Sequence, residues 1–310
     1  MHIQNSLISV LIASYNHESY LPRAIESIWE QSYKEIEIII VDDCSTDNTY
    51  TIAMEMKNLA PCSMKVFRND ENRGISYTFK RAFQLSSGEL ISFLASDDFV
   101  SPRRFTSQLA AFKRDSQLQI VYGNGYAYQN NKQTRPIHSE QVKTLLTRPP
   151  AEIRNFLYTN VNPIFIQTLL ARRSFMEQFD FLNEEIMADD WHLNTRVFEN
   201  LKTQSEYAYI DEPLVYYRLH ENNVHKNIQR HTKLKLDYIA QVTPKTLQRQ
   251  AKANIYFDIA KKSLAAGHYK QSINYWVSSL KKEFMFSRAK FIIKIIRTYC
   301  RHLVKQADFH

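Results

Sequence analysis

Through its first 125 residues the chain alternates short, nearly continuous apolar runs with segments whose apolar residues recur at helical spacing. No other feature limits the fold as much. LISVLIA (7–13), IEIIIV (36–41), MKVFR (64–68), LISFL (90–94) and IVYGNGY (120–126) read as strands. Between them, YLPRAIESIWEQS (20–32) sets Leu21, Ile25, Ile28 and Trp29 at helical spacing, a second helix opens near Asp47, and others cover 76–86 and 103–114. Strands without polar alternation are buried on both faces, as in a parallel sheet covered by helices. The repeat of roughly 25–30 residues fits βαβ units. The predicted class is α/β, a mostly parallel sheet flanked by helices, and ligands of such sheets bind beyond the carboxyl ends of the strands.

The pattern changes further on. Residues 126–160 look irregular, 161–220 mix strand and helix, and the chain beyond 230 reads as helical. YFDIAKKSLAAGHYKQSINYWVSSLKK (256–282) predicts a helical hairpin around Gly267, similar to one tetratricopeptide-type unit, although such units form arrays only in several copies. Two domains are expected: 1–230, and a basic helical extension over 231–310. Charge separates them: residues 231–310 carry 16 Lys/Arg against 4 Asp/Glu, a balance of +12, while residues 1–230 carry −4. This argues against nucleic acid as the partner of the first part. FMFSRAKFIIKIIRTYCRHLVKQ (284–306) is either a basic amphipathic helix lying on an anionic membrane surface or a core helix packed on the hairpin. The three cysteines are too few and too scattered for a disulfide framework or a CxxC zinc site. MHIQNSLISV lacks the features of a secretory signal, and no uncharged apolar run is long enough to span a bilayer. A cytoplasmic location is expected, with peripheral contact on the inner face of the membrane as its extension.

Three Asp–Asp pairs stand out: Asp42–Asp43, Asp97–Asp98 and Asp189–Asp190. Aspartate is a good helix cap and turn residue, so each pair has a structural reading, and Asp47 is expected to cap the helix after it. Two pairs leaving apolar strands on the same edge ask for more. Carboxylates held close raise one another's pKa unless a cation or donor compensates. Asp97–Asp98 suits a hard divalent cation, which takes carboxylate oxygens together with the oxygens of a diphosphate. Tyr15 in ASYN offers a ring on which a base could stack, and a strand-exit aspartate could accept the imide N–H of uracil. Asp189–Asp190 opens the amphipathic DDWHLNTRVFENL, where one aspartate would cap and the other would act as a general base.

Taken together, SVLIASYNHESYLPRAIESIWEQSYKEIEIIIVDDCSTDNT, NRGIS (72–76), GELISFLASDD (88–98), ADDW (188–191) and YYRLHENN (216–223) resemble the family 2 glycosyltransferases of the GT-A (Rossmann-like) fold. The resemblance covers residues 5–225, with its five segments in the family's order, and leaves the tail outside. It implies an inverting glycosyltransferase that takes a sugar from a nucleotide-diphosphate donor, UDP by preference. The implied acceptor is a glycan or lipid-linked oligosaccharide, as in bacterial surface polysaccharide synthesis. The donor side would comprise Ala13, Tyr15, Asn16, Asp42, Asp43, Arg73, Asp97 and Arg218. Mn2+ or Mg2+ would be held by Asp98, with His220 in the loop that closes over the diphosphate, and Asp190 would be the catalytic base. Arg73 and Arg218 suit phosphate because guanidinium binds its oxygens bidentately. ASDD replaces a spaced D-x-D, and ADDW puts Asp189 where Glu is commoner; Asp190 is taken as the base because Trp191 to Leu193 after it fall in the family's register.

Two other classes compete. A nucleotidyltransferase would need a glycine-rich phosphate loop after the first strand, and ASYNHESY contains no glycine. A non-catalytic nucleotide- or glycan-binding protein on the same fold would bind donor without turning it over.

Overall fold

The computed structural model describes residues 5–186, 189–220, 228–282, 291–293, 295, 296 and 298. Two compact units emerge: residues 1–154 with 162–223, and residues 155–161 with 224–310.

The first unit runs β1 (Ile8–Ser14), α1 (Leu21–Trp29), β2 (Ile36–Asp42), α2 (Thr49–Leu59), β3 (Ser63–Arg68), α3 (Ile75–Leu85), β4 (Leu90–Ala95), β5 (Phe99–Val100) and α4 (Arg104–Arg114). It continues with β6 (Ile120–Gln129), β7 (Lys132–Pro136), α5 (Glu140–Leu145), α6 (Pro150–Thr159, whose last residues count with the second unit), β8 (Leu169–Arg172), α7 (Arg173–Met176), α8 (Asp189–Asn200) and β9 (Tyr207–Arg218). The strands order as β3-β2-β1-β4-β8-β6-β9-β5, with β7 beside β6.

The first four strands are parallel, as their apolar continuity predicts. Every residue of β2 is buried, and Leu21, Ala24, Ile25 and Ile28 of α1 pack into the same core as Ile8, Val10 and Ile12 of β1. Burying a side chain of this size stabilises by about 1.5–3 kcal/mol. Beyond β4 the sheet stops being simply parallel: β8 runs antiparallel to both β4 and β6, and β6 then pairs parallel with β9. Register places Ala13 beside Val41 on one side and Ala95 on the other, so the exits of β1, β2 and β4 lie next to one another.

The second unit contains α9 (Ile228–Val242), α10 (Gln248–Ala265) and α11 (Tyr269–Lys282). Gly267 takes φ +78°, a left-handed conformation that ends α10 and turns the chain into α11. Thr243 donates to the carbonyl of Tyr158 and Asn254 to that of Thr159, which ties residues 155–161 to α9 and α10. Most of the basic stretch 284–306 lies outside the described residues, as do residues 221–223 of YYRLHENN. Among the described residues no helix is long and apolar enough to cross a membrane.

Candidate active site

The exits of β1 and β2 are stitched to each other before any ligand is considered. Asn16, at φ 53°, accepts the N–H of Thr46 at 2.8 Å and donates its own to Ser45 Oγ at 2.9 Å. Asp42 is fully buried; it accepts the N–H of Ser45 at 2.9 Å and lies 3.5 Å from Arg68 Nε. Asp43, also buried, accepts from Asn69 Nδ2 at 2.7 Å and from the N–H groups of Arg73 and Gly74 at 2.8 Å each. That geometry explains NRGIS: Gly74 sits at φ +84°, a left-handed conformation that suits glycine, so that loop 69–74 wraps the Asp43 carboxylate. With three bonds accepted, about one acceptor position on Asp43 remains for a ligand. Tyr15 stands 43% exposed at the mouth of β1, open to a flat ligand. The N-cap of α2 is Asn48, which makes no side-chain cap bond, and not Asp47 as expected; Asp47, one residue earlier, accepts the N–H of Thr49.

The turn after β4 is bound to the far end of β9. Asp98 is completely buried, and its Oδ1 accepts the N–H of Arg218 at 2.7 Å. Arg218 Nε donates to the carbonyl of Asp97 at 2.8 Å, and its guanidinium lies over the rings of Tyr20 and Phe99 at 5.2 and 5.4 Å. His220 Nε2 meets Asp97 Oδ2 at 3.0 Å, and its ring stacks on Tyr20 with centroids 4.6 Å apart. On the other side His17 Nδ1 pairs with Ser96 Oγ at 2.8 Å. One ligand atom each from His17, Asp97 and His220 come within 4.8 Å of one another. Imidazole and carboxylate in that proximity fit a divalent cation.

The two aspartates of the pair are thus unlike each other. Asp97 faces the imidazoles, whereas Asp98, the expected ligand, turns inward to the β9 backbone. Burial drives the Asp98 pKa well above the usual carboxylate range, with the Asp97 charge adding to it; the Arg218 N–H, Gln167 and the Arg218 charge act in the opposite sense. Burial lowers the pKa of His17, and the opposing Asp97 charge only partly offsets it.

Asp190 enters from α8. Its carbonyl accepts Asn194 Nδ2 at 2.9 Å, and Asn194 accepts the Tyr122 hydroxyl of β6 at 2.8 Å, so the helix start is held to the sheet. Tyr217 reports the convergence. Burial raises its pKa, and the charges of Asp98, Asp97 and Asp190 raise it further, so all three carboxylates lie within electrostatic reach of one phenol. Arg73 is engaged elsewhere: its guanidinium lies 4.2 Å from the Tyr77 ring and 3.7 Å from Glu184, with its side chain 44% exposed. Sequence reasoning overlooked His17, Tyr20, Asn194 and Tyr217. Only His17 left a signal, being a polar residue inside the first strand-exit motif.

A profile described as Glycosyl transferase family 2 matches residues 9–179, more than half of the chain. The chain belongs to glycosyl transferase family 2. It is 30% identical over 231 residues to an uncharacterized glycosyltransferase of Nostoc sp., covering 70% of this chain and 66% of that one. It thus spans just under two thirds of the length of that curated relative. It is also 27% identical to the UDP-Glc:alpha-D-GlcNAc-diphosphoundecaprenol beta-1,3-glucosyltransferase WfaP of Escherichia coli, over 71% of this chain and 80% of that one. Among solved structures, S. aureus TarS in complex with UDP-GlcNAc superposes with a TM-score of 0.61 at 19% identity, over 89% of this chain and 81% of TarS. The mannosyltransferase PcManGT of Pyrobaculum calidifontis, in complex with GDP-Man and Mn2+, gives 0.58 at 16% identity, over 93% and 79%. The GT-A fold expected for this family 2 chain is the one it has.

Proposed function

We propose that this family 2 chain is an inverting glycosyltransferase that moves a sugar from a nucleoside-diphosphate donor, UDP-linked by preference, to a hydroxyl of a lipid-linked glycan. The observation that supports it most is that Asp97 and His220 meet at 3.0 Å while the charges of Asp97, Asp98 and Asp190 all bear on the one phenol of Tyr217. Inversion requires charge compensation at the leaving diphosphate and a base on the opposite face of the same carbon, and such an arrangement supplies both.

On this reading Tyr15 stacks the nucleobase, while Ala13, the last small residue of β1 before Ser14, and Asn16 shape the cleft around it. Asp42 and Asp43 serve the donor chiefly by holding the 45 and 69–74 loops, the remaining acceptor position of Asp43 being offered to the base. Arg218 closes over the diphosphate, and Arg73 at most approaches it from the Tyr77 side. A divalent cation, held by Asp97 and His220 rather than by Asp98, would neutralise the departing diphosphate. Asp190 takes the proton of the acceptor hydroxyl as that oxygen attacks the anomeric carbon. The sugar–phosphate bond breaks in the same step, the nucleoside diphosphate leaves, and the configuration inverts. The lipid-linked acceptor is suggested by WfaP, and it would bring the protein to the cytoplasmic face of the membrane.

The test is a panel of UDP-Glc, UDP-GlcNAc and GDP-Man incubated with GlcNAc-diphosphoundecaprenol and related acceptors. Nucleotide release and the anomeric proton of the product are then followed by NMR. Transfer from an α-linked donor to give a β-linked product is expected. Donor binding without turnover across the panel would favour the non-catalytic binding protein, and an α-linked product would overturn inversion.

A further inference from the structure

We infer that His17 is itself a ligand of the divalent cation, and that its imidazole turns the site against Mg2+. This rests on the cation reading above and deepens it.

Three separate elements deliver the donor atoms: His17 follows β1, Asp97 follows β4 and His220 follows β9. Their ligating atoms lie within 4.8 Å of one another. The His17 main chain is held on both sides. Its backbone N–H donates to Thr49 Oγ1 at 2.8 Å, and its carbonyl accepts from Tyr20 and Leu21 at 3.0 and 2.9 Å. Ser96 Oγ occupies Nδ1 at 2.8 Å, one residue before the Asp97 carboxylate. With the Ser96 hydroxyl accepting the Nδ1 proton, Nε2 keeps its lone pair for a cation, as in metal-ligating histidines whose other ring nitrogen donates to a neighbour. The ring stands edge-on to His220, with centroids 6.0 Å apart at 87°. A purely packing role would rest on its edge contact with Tyr20 at 5.8 Å, which does not explain the nearness of Asp97 and His220.

Asp98, the second carboxylate of the turn, is not part of that group. Ala95 and Ser96 precede Asp97, and the Asp98 side chain is wholly buried with Oδ1 on the Arg218 N–H. The protein donors are therefore two imidazoles and one carboxylate, leaving coordination positions for diphosphate oxygens. Mg2+ prefers oxygen ligands, whereas imidazole favours the later divalent ions, with affinity rising from Mn2+ through Co2+.

Titration calorimetry of the full-length chain with MnCl2, CoCl2 and MgCl2, each alone, tests this. Wild type is expected to bind Mn2+ and Co2+ at least about tenfold more tightly than Mg2+. His17→Asn keeps a polar atom toward Ser96 but has no Nε2; it should lose about tenfold or more for Mn2+ and Co2+ and narrow the gap to Mg2+. His17→Gln, which sets a carboxamide near the place of Nε2, should narrow the gap as well, and thermal unfolding without metal verifies that both variants are folded. In nitrogen-15 spectra of the histidine rings, Zn2+ should shift the resonance that His17→Asn removes. Affinities and selectivity unchanged in both variants, with Asp97→Asn alone losing the ion, would overturn the role of His17 and leave the cation reading standing. Absence of binding by any ion to wild type would overturn both.

Discussion

The buried carboxylate of Asp98 accepts the backbone N–H of Arg218 at 2.7 Å, joining the turn after β4 to a strand end 120 residues away. The same strand end carries His220 to Asp97. Asp98 therefore works as a peg that sets where the last site segment begins.

Replacing the peg separates its shape from its charge. Asp98→Ala leaves the Arg218 N–H without its acceptor, which should cost about 1–3 kcal/mol in urea unfolding. Asp98→Asn retains an acceptor and should stay within about 1 kcal/mol of wild type. Hydrogen exchange at the Arg218 amide should accelerate in the alanine variant only. Equal stability of the two variants would show that the bond to Arg218 contributes nothing.

Asp190→Asn should leave the helix start intact, because Asn194 bonds the carbonyl of residue 190 and not its side chain. Removal of a general base lowers the rate about 100- to 10,000-fold. The fall should appear in kcat, with nucleotide affinity by calorimetry unchanged. A variant retaining most of its transfer would move the base to another residue.

Tyr15 is exposed and lies outside the apolar core, so Tyr15→Ala should leave the unfolding temperature where it is. Loss of a stacking ring should weaken nucleotide binding by about 1–3 kcal/mol. Tyr15→Phe should retain most of the affinity, because the flat face is what the base uses. A Tyr15→Ala chain that binds UDP like wild type would place the base elsewhere.

How much of this was legible in the sequence depended on how local the cause was. β1, β2 and β4 are buried on both faces, so each reads as a nearly unbroken apolar run, and β3 at the sheet edge still shows Met64 and Val66 buried in alternation. β9 does not: YAYIDEPLVYYR contains a proline and three exposed residues. Pro213 is tolerated because the register with β6 shifts there, opposite Asn124, leaving the strand to resume at Val215. β8 has only four residues and runs straight into α7, too short for a period to show. The site followed the same rule. Asp97–Asp98 announced itself as a pair, but which aspartate faces a ligand was decided by Arg218 and His220 arriving from β9. His17 showed only as a polar residue in the first strand-exit motif, and its role as a donor did not show because both of its companions come from other elements.

His138 makes the stability of the first unit depend on pH. Its side chain is fully buried, and its Nε2 accepts the N–H of Phe165 at 3.2 Å, so the ring is held neutral. Burial pushes its pKa from 6.5 down to about 4, against the weaker opposing effects of the Gly123 backbone and the Asp211 charge. The unfolded chain thus takes up a proton below pH 6.5 that the folded chain refuses until about pH 4. Stability from this group is complete above pH 6.5 and declines as the pH falls, by about 3 kcal/mol on reaching pH 4. His138→Gln keeps an acceptor near Nε2 and does not titrate. Its unfolding free energy, measured in urea from pH 7 to pH 4, should fall less steeply than that of wild type by about that amount. Parallel curves for the two proteins would mean that His138 gains a proton in the folded state as readily as in the unfolded one.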